Sequence, residues 1–538
     1  MIEHQIAFAK AGIGSHLFHD YLNGHVPVRL FYQYEPSIKG IGEAIEQRLE
    51  HPVNRQALHH VLQRQYAGIN TGPEVSSNID LLLQPNTLTI TTGHQLTLVA
   101  SPLFYIYKIA SAISLCRHLS ATHPTHHFVP VLWMNSEDHD FEEINHCWMD
   151  GQKFVWSPPD GPAIPVGNRS LENIDHFFSS ILGNFIKNDT LTNVLKEWKE
   201  IYMQSKNLTE ATHKLIHTLF GRYGLVIVDQ QDLELKKIAL PVFRNELSRQ
   251  LSYHHVSHSM DLLHNLGYES QANPRYINLF YSDNQYGRNR IEVDSQNGFT
   301  VLNSPVRFTI NDFEHNTETL LQALSTNVIT RPLYQQSILP DIVTIGGPAE
   351  VAYWLQYKSM FDASGIFYPV VLMRDSFLFL PEKKLHKLHK LGFSISDITE
   401  NPSVLLKLYI QHNEESFDPL GICDKLSELF QELAQHMRKA DSTLQPAAEA
   451  SLKRTLKEIK KLEEKYYRSL RKKNHLAAEN FRQLHEWCYP NGVFQERITH
   501  MLDLTATPDT WIESLLQDCN PLDHHIKIIS HEYSNGRT

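Results

Sequence analysis

The sequence predicts an α/β fold built on a parallel sheet, with a small β-containing insertion lobe and a C-terminal antiparallel helical arm. Three observations predict it. Short, continuously apolar runs, each followed by a helical pattern, recur over residues 1–384, as expected for strands buried on both faces. A group of short runs broken by turn residues interrupts this series near 276–302. Beyond Lys384 the strand signal fades, and apolar residues recur at helical and seven-residue spacing.

Taken in order, Leu88–Thr92 reads as the first strand and Leu103–Leu119 as the helix after it. Phe128–Met134, Gly224–Asp229, Ile342–Ile345 and Tyr368–Met373 read as four further buried strands. Ligands of such sheets bind beyond the carboxyl ends of the strands, so the residues just after each strand weigh most. Tyr276–Tyr281, Arg290–Val293 and Phe299–Leu302 are separated by Asp283-Asn284, Gly287 and Asn297-Gly298. They read as antiparallel strands with tight turns, forming a lobe inserted at about 230–335. Leu426, Leu429, Leu433 and Met437 fall at helical spacing, and a turn is expected before Pro446. Leu452, Leu456, Ile459, Tyr466 and Leu470 follow a seven-residue seam interrupted by Glu463. These make an antiparallel arm over 385–485, after which Tyr489-Pro-Asn-Gly492 breaks the helix and 486–538 returns to the core. The seam has too little apolar surface to bury alone, so a homodimer through the arm is expected. The dense Lys and Arg between Lys453 and Lys473 fit either a solvated helix face or an anion contact.

At 538 residues the chain exceeds one ordinary core. Its 41% hydrophobic and 20% charged residues are those of a globular protein, and a net charge of −11 weighs against nucleic-acid binding. Cys116, Cys147, Cys423, Cys488 and Cys519 are odd in number and contain no Cys-x-x-Cys, which fits a reducing, cytoplasmic setting. None lies in a strand-end motif, so none is expected to be catalytic. The stretch Leu96–Leu115 is the most apolar, yet it carries Pro102 and Lys108 and reads as a buried helix rather than a membrane span.

Three constellations stand at strand ends. Thr91-Thr-Gly-His-Gln95 reads as a turn in which Gly93 allows close backbone approach, the following helix offers free N–H groups, and His94 donates to a phosphoryl oxygen. A local backbone-capping role for His94 is the plainer alternative. In the second, Glu137, Asp138, His139, Asp140, Glu142, Glu143 and His146 crowd one loop. That density fits substrate or divalent-metal binding, or an acidic helix start exposed to water. The spacing is not His-Glu-x-x-His. In the third, Gly346 and Gly347 end a strand, Pro348 suits the first helical position and Glu350 the third. A helix start packed tightly on the sheet is the plainer alternative, for which Glu350, Tyr353 and Trp354 are unusual choices on the first turns.

These stretches together resemble the bacillithiol biosynthesis cysteine-adding enzyme family. The resemblance rests on Thr92–Gln95 with Pro102–Lys108, on Trp133–His146 and on Gly346–Gln356; Asn278-Leu-Phe280, Arg331-Pro332 and Tyr489–Gly492 add to it, in order along the chain. It implies a Rossmann-like core resembling class I aminoacyl-tRNA synthetases and a coiled-coil arm that pairs two subunits. It also implies a ligase that joins cysteine through its carboxyl group to the amine of glucosaminyl malate. Activating that carboxylate calls for ATP, with Mg²⁺ as companion ion; no tightly bound metal is expected. On this reading His94, Asp138, His139 and Asp140 are the catalytic candidates. Thr92, Gly93, Gln95, Glu137, Asn278, Gly346, Gly347, Glu350 and Tyr353 bind substrate or nucleotide. Two rivals from other classes are a metal-dependent hydrolase using the loop 137–146 and a non-catalytic dimeric nucleotide-binding protein.

Overall fold

A computed structural model describes residues 2–159, 164–185, 188–296, 298–414 and 419–531; Asn297 of the Asn-Gly turn lies outside them. The chain divides into two compact units. One comprises the residues up to Phe379 with those from Val493 on, and the other is Leu380–Gly492.

The first unit is organised by five parallel strands, β1 (Thr87–Gln95), β2 (His127–Asn135), β3 (Val226–Asp229), β4 (Asp341–Gly346) and β5 (Val370–Met373). Their order is β5-β4-β1-β2-β3, with every neighbouring pair parallel. The strands are covered on both faces: Leu88, Ile90, Val343, Ile345 and Leu372 lie in one buried cluster with Ala112 and Leu115 of the helix that follows β1. On the other face of β1 the alternating threonines are buried as well, Thr91 Oγ1 donating to Asp341 at 2.7 Å. That helix, α1 (Leu103–Thr122), is buried on nearly every side.

β1 runs further than the sequence predicts. Gly93, His94 and Gln95 pair in register with Trp133, Met134 and Asn135 of β2, so they belong to the sheet. A short turn, Leu98–Ala100, separates them from α1. The expected helix N-terminus at His94 is therefore absent from that position. The third constellation forms as expected: Gly347 caps helix α2 (Pro348–Leu355), and its N–H donates to Glu350 Oε1 at 3.2 Å.

The insertion lobe is an antiparallel sheet of Leu279–Asp283, Gly287–Val293, Phe299–Val301, Arg307–Phe308 and Leu324–Thr326. A sheet not foreseen from the sequence joins the two chain ends: Ile2–Ala7 pairs antiparallel with His525–His531, which lies beside Ser376–Pro381.

In the second unit, Pro419–Ala440 and Gln445–Lys473 form two long helices joined through a turn at Ser442–Leu444. Of the seam residues, Leu429 and Leu433 are exposed, while Leu426, Met437, Leu452, Leu456 and Ile459 are half-buried. A turn at Pro490–Gly492, with Asn491 and Gly492 at positive φ, ends the helix His475–Cys488. No helix among the described residues is long and apolar enough to cross a membrane.

Candidate active site

From β1 the chain proceeds to β2 and β3 on one side, then returns to β4 and β5 on the other. The direction of winding reverses between β1 and β4, and a crevice opens at their carboxyl ends. A cavity of about 300 Å³ occupies it, lined from β1 by Gly93, His94 and Gln95, from α1 by Phe104 and Lys108, and from the start of α2 by Gly347 to Glu350. Asn135, Asp138, Val328, Arg331, Tyr353, Arg374 and Arg497 complete it.

Its centre is an ion pair between buried Lys108 and half-buried Glu350. Lys108 is 2% exposed and donates to the Gly93 carbonyl at 3.0 Å and to Glu350. Burial lowers the Lys108 pKa, and Glu350 offsets part of that. Burial alone would raise the Glu350 carboxyl, but Lys108 and Arg331 more than offset it and hold the group below its usual range. Arg331 donates to the Tyr353 hydroxyl at 2.9 Å. Its guanidinium crosses directly over Gly93: a Cβ there would stand 2.6 Å from Arg331 Nη1. Gly93 thus serves close approach, as expected, but of a side chain across a strand and not of a turn.

His94 Nδ1 lies 2.8 Å from the Gln95 carbonyl, which only accepts, so Nδ1 carries the hydrogen and Nε2 is an acceptor. Burial, then the Lys108 charge, pushes its pKa down to about 3. A neutral imidazole with its one hydrogen committed cannot donate to a phosphoryl group, which corrects the role read from the sequence. Asp138 accepts from Gln95 and from the His139 N–H, with Arg288 at 3.4 Å. Burial raises its pKa, but these hydrogen bonds and the Arg288 charge win, so it is ionised well below neutrality.

The loop 137–146 does not act as one cluster. Glu137 turns inward, buried, onto Lys236 at 2.5 Å, and Lys236 also holds the Leu324 carbonyl of the lobe. His139 and Asp140 are exposed and lie off the cavity, His139 meeting Arg288 at 2.9 Å. His146 meets Asn145 Oδ1 at 3.0 Å. Among the described residues no group of three or more His, Cys, Asp or Glu is placed to hold a metal ion. Two further expected site residues are structural ties. Thr92 Oγ1 donates to the Ile345 carbonyl, joining β1 to β4. Asn278 is buried among Ser252, Arg275, Asn327 and Glu246 at the root of the lobe. Gly346 leaves room for Glu350, whose Cβ stands 2.7 Å from where a Gly346 Cβ would lie.

The sequence reading assigned no role to Lys108, Asn135, Arg331, Arg374 or Arg497. Lys108 carried a signal: a lysine inside the most apolar segment must find a partner. Arg374 directly follows β5, so the strand-end rule reached it. Its two Nη atoms grip Glu496 at 2.8 and 2.6 Å, which leaves Nε without a partner. Asn135 Oδ1, at the end of β2, is likewise buried and unpartnered. Arg497 lies 5.6 Å from the Phe104 ring centre and reaches the cavity from the C-terminal segment.

Residues 1–375 match the family model for the bacillithiol biosynthesis BshC N-terminal Rossmann-like domain, and residues 377–531 match that for the BshC C-terminal coiled-coil domain. The chain belongs to the BshC family. A Flavobacterium johnsoniae relative named "Putative cysteine ligase BshC" is 34% identical over 534 residues, covering 98% of this chain and 99% of the relative. A relative of the same name from Flavobacterium psychrophilum is 33% identical, with 98% and 99% covered. Another from Cytophaga hutchinsonii is 32% identical, with 96% and 97% covered. Membership places this BshC-family chain in bacillithiol biosynthesis, as a ligase-type enzyme with small-molecule substrates. The Rossmann-like core and coiled-coil unit are those the family models describe.

Proposed function

We propose that the protein joins the carboxyl group of cysteine to the amine of glucosaminyl malate, the last step of bacillithiol biosynthesis, in the cavity at the β1–β4 switch point. The observation that carries this reading is the set of polar groups left for a ligand. Asn135 Oδ1 and Arg374 Nε are buried without partners, beside the guanidinium groups of Arg331 and Arg497. Such a lining suits a ligand with anionic and donor groups. The relatives' name supplies cysteine, and the sequence resemblance supplies the acceptor.

A carboxylate is a poor electrophile, so the reaction needs activation, and ATP with its Mg²⁺ is the proposed co-substrate. A cysteine carboxylate oxygen attacks a phosphorus atom and displaces pyrophosphate or ADP, giving a mixed anhydride. The acceptor amine then attacks the anhydride carbonyl; phosphate or AMP leaves with the bonding pair, and the ammonium proton passes to a base. Arg331 and Arg497 neutralise the anionic groups, and this is positioning and charge stabilisation rather than covalent catalysis. Asp138 is the carboxylate suited to an ammonium group. Glu350 holds Lys108 and the Gly347 N–H instead. His94 Nε2 accepts a hydrogen bond and does not donate a proton.

The enzyme works in the cytoplasm and as a homodimer through the helical arm, where Leu429, Leu433 and Leu462 are 60, 47 and 59% exposed. The deciding experiment incubates the protein with ATP, cysteine and glucosaminyl malate. A thiol product with the mass of the amide, together with AMP or ADP, is expected. Absence of product with folded protein overturns the reading.

A further inference from the structure

A second cavity of about 330 Å³ lies in the same unit, beside the starts of β4 and β5 and so at the opposite edge of the sheet from the candidate active site. Arg48, Gln336, Val242, Leu333 and Phe367 line it. Arg48 is 3% exposed; its Nη atoms donate to the carbonyls of His51 at 2.9 Å and Leu339 at 2.6 Å. Its guanidinium lies 5.1 Å from the Phe367 ring centre. Nε has no partner. Gln336 is 1% exposed; Nε2 donates to Asp341 at 2.6 Å, while Oε1 has no partner. Arg48 Nη2 also approaches the Gln336 backbone carbonyl at 3.3 Å, and both residues line this cavity.

A buried donor and a buried acceptor left without partners on residues of one cavity wall cost stability unless something satisfies them. We infer that this cavity is a second small-molecule site, which takes an uncharged group bearing an acceptor and a donor together, a carboxamide or an undissociated carboxyl, on a small apolar body. The acceptor meets Arg48 Nε–H and the donor meets Gln336 Oε1. Val242, Leu333 and Phe367 hold the apolar part. The wall already contains charges of both signs, Arg48 and Glu246, and Glu246 is occupied by Ser252 and the Asn278 N–H. An ion of either sign would therefore meet a like charge. The helix Arg331–Ile338 carries Arg331 in the first cavity and Gln336 in the second, so an occupant here bears on the helix that positions Arg331.

Benzamide is a suitable probe, followed on the full chain by ligand-observed NMR and thermal melting. Saturable binding and a dose-dependent rise in melting temperature are expected. Acetophenone, which keeps the acceptor but lacks the N–H, should bind about ten-fold or more weakly, the loss of one hydrogen bond to a buried acceptor. Ile366→Trp, which fills the cavity from its half-buried rim, should abolish benzamide binding. Gln336→Met should weaken it; because that change also releases Asp341 and risks the fold, the acetophenone comparison and Ile366→Trp decide. No saturable binding, which leaves the patch to a bridging water, overturns the inference. So does equal affinity for acetophenone, or binding that survives Ile366→Trp.

Discussion

The loop 137–146 and the helix α1 look like opposites in the sequence, and the site inverts what they promise. The loop is the most densely charged stretch near a strand end, yet only Asp138 of its ionisable side chains lines the cavity. The helix is a long apolar stretch buried on nearly every side, yet it contributes Phe104 and the central cation, Lys108. Charge on an exposed loop costs little, so its density says little about where function lies. A lone charge inside an apolar helix is expensive to bury and persists only with a partner, so it is the more informative residue.

The largest effect, on stability and ligation together, is expected at Lys108. Lys108→Met leaves the half-buried Glu350 carboxylate without its main partner, and a loss of about 3 kcal/mol in denaturant unfolding, the lower end for a buried pair, is expected together with loss of ligation. A loss below about 1 kcal/mol would show that the pair is not the centre of the site. Glu137→Ala should cost a similar amount, about 3–5 kcal/mol, because it strands Lys236, which is 1% exposed. That effect sharpens the comparison: within the loop, the residue that matters for stability is the one that turns inward.

Arg331→Lys keeps the charge but loses the guanidinium fork that reaches Tyr353 and overlies Gly93. A fall in kcat/KM of roughly ten- to hundred-fold, equivalent to about 1.5–3 kcal/mol, is expected with the melting temperature nearly preserved. His94 gives a smaller, pH-dependent effect. Its pKa is pushed from 6.5 to about 3 in the folded protein. Between those values the unfolded chain binds a proton that the folded chain refuses, so stability falls as pH drops below 6.5. His94→Gln should flatten that slope by up to about 1.4 kcal/mol per pH unit. An unchanged slope in urea titrations across that range would refute the burial argument. The smallest effect belongs to the loop's exposed face: His139→Ala and Asp140→Ala should shift stability by no more than about 0.5 kcal/mol and leave turnover near wild type.

Much of this arrangement is legible before folding. Short apolar and β-branched runs give the five parallel strands to within a few residues, because burial on both faces leaves little room for charged residues. The Gly346-Gly-Pro-Ala-Glu350 pattern gives a strand end, a cap and a helix start, because each of those positions restricts the backbone locally. The end of β1 is misjudged because Gly93 normally signals a turn, while here it clears space for Arg331, more than 200 residues away in the chain.

The kind of fold and the strand ends where ligands gather are written locally in the chain, since both follow from residue periodicity and from the winding of a parallel sheet. Which side chains face the cavity depends on the assembled fold. Glu137 and Asp138 are adjacent in sequence, yet one seals against Lys236 and the other lines the site. Arg331, Arg374 and Arg497 come from three distant segments and converge there. The direction of a side chain, and the partner that makes its burial affordable, are set by contacts between segments far apart in the chain, and no local pattern encodes them.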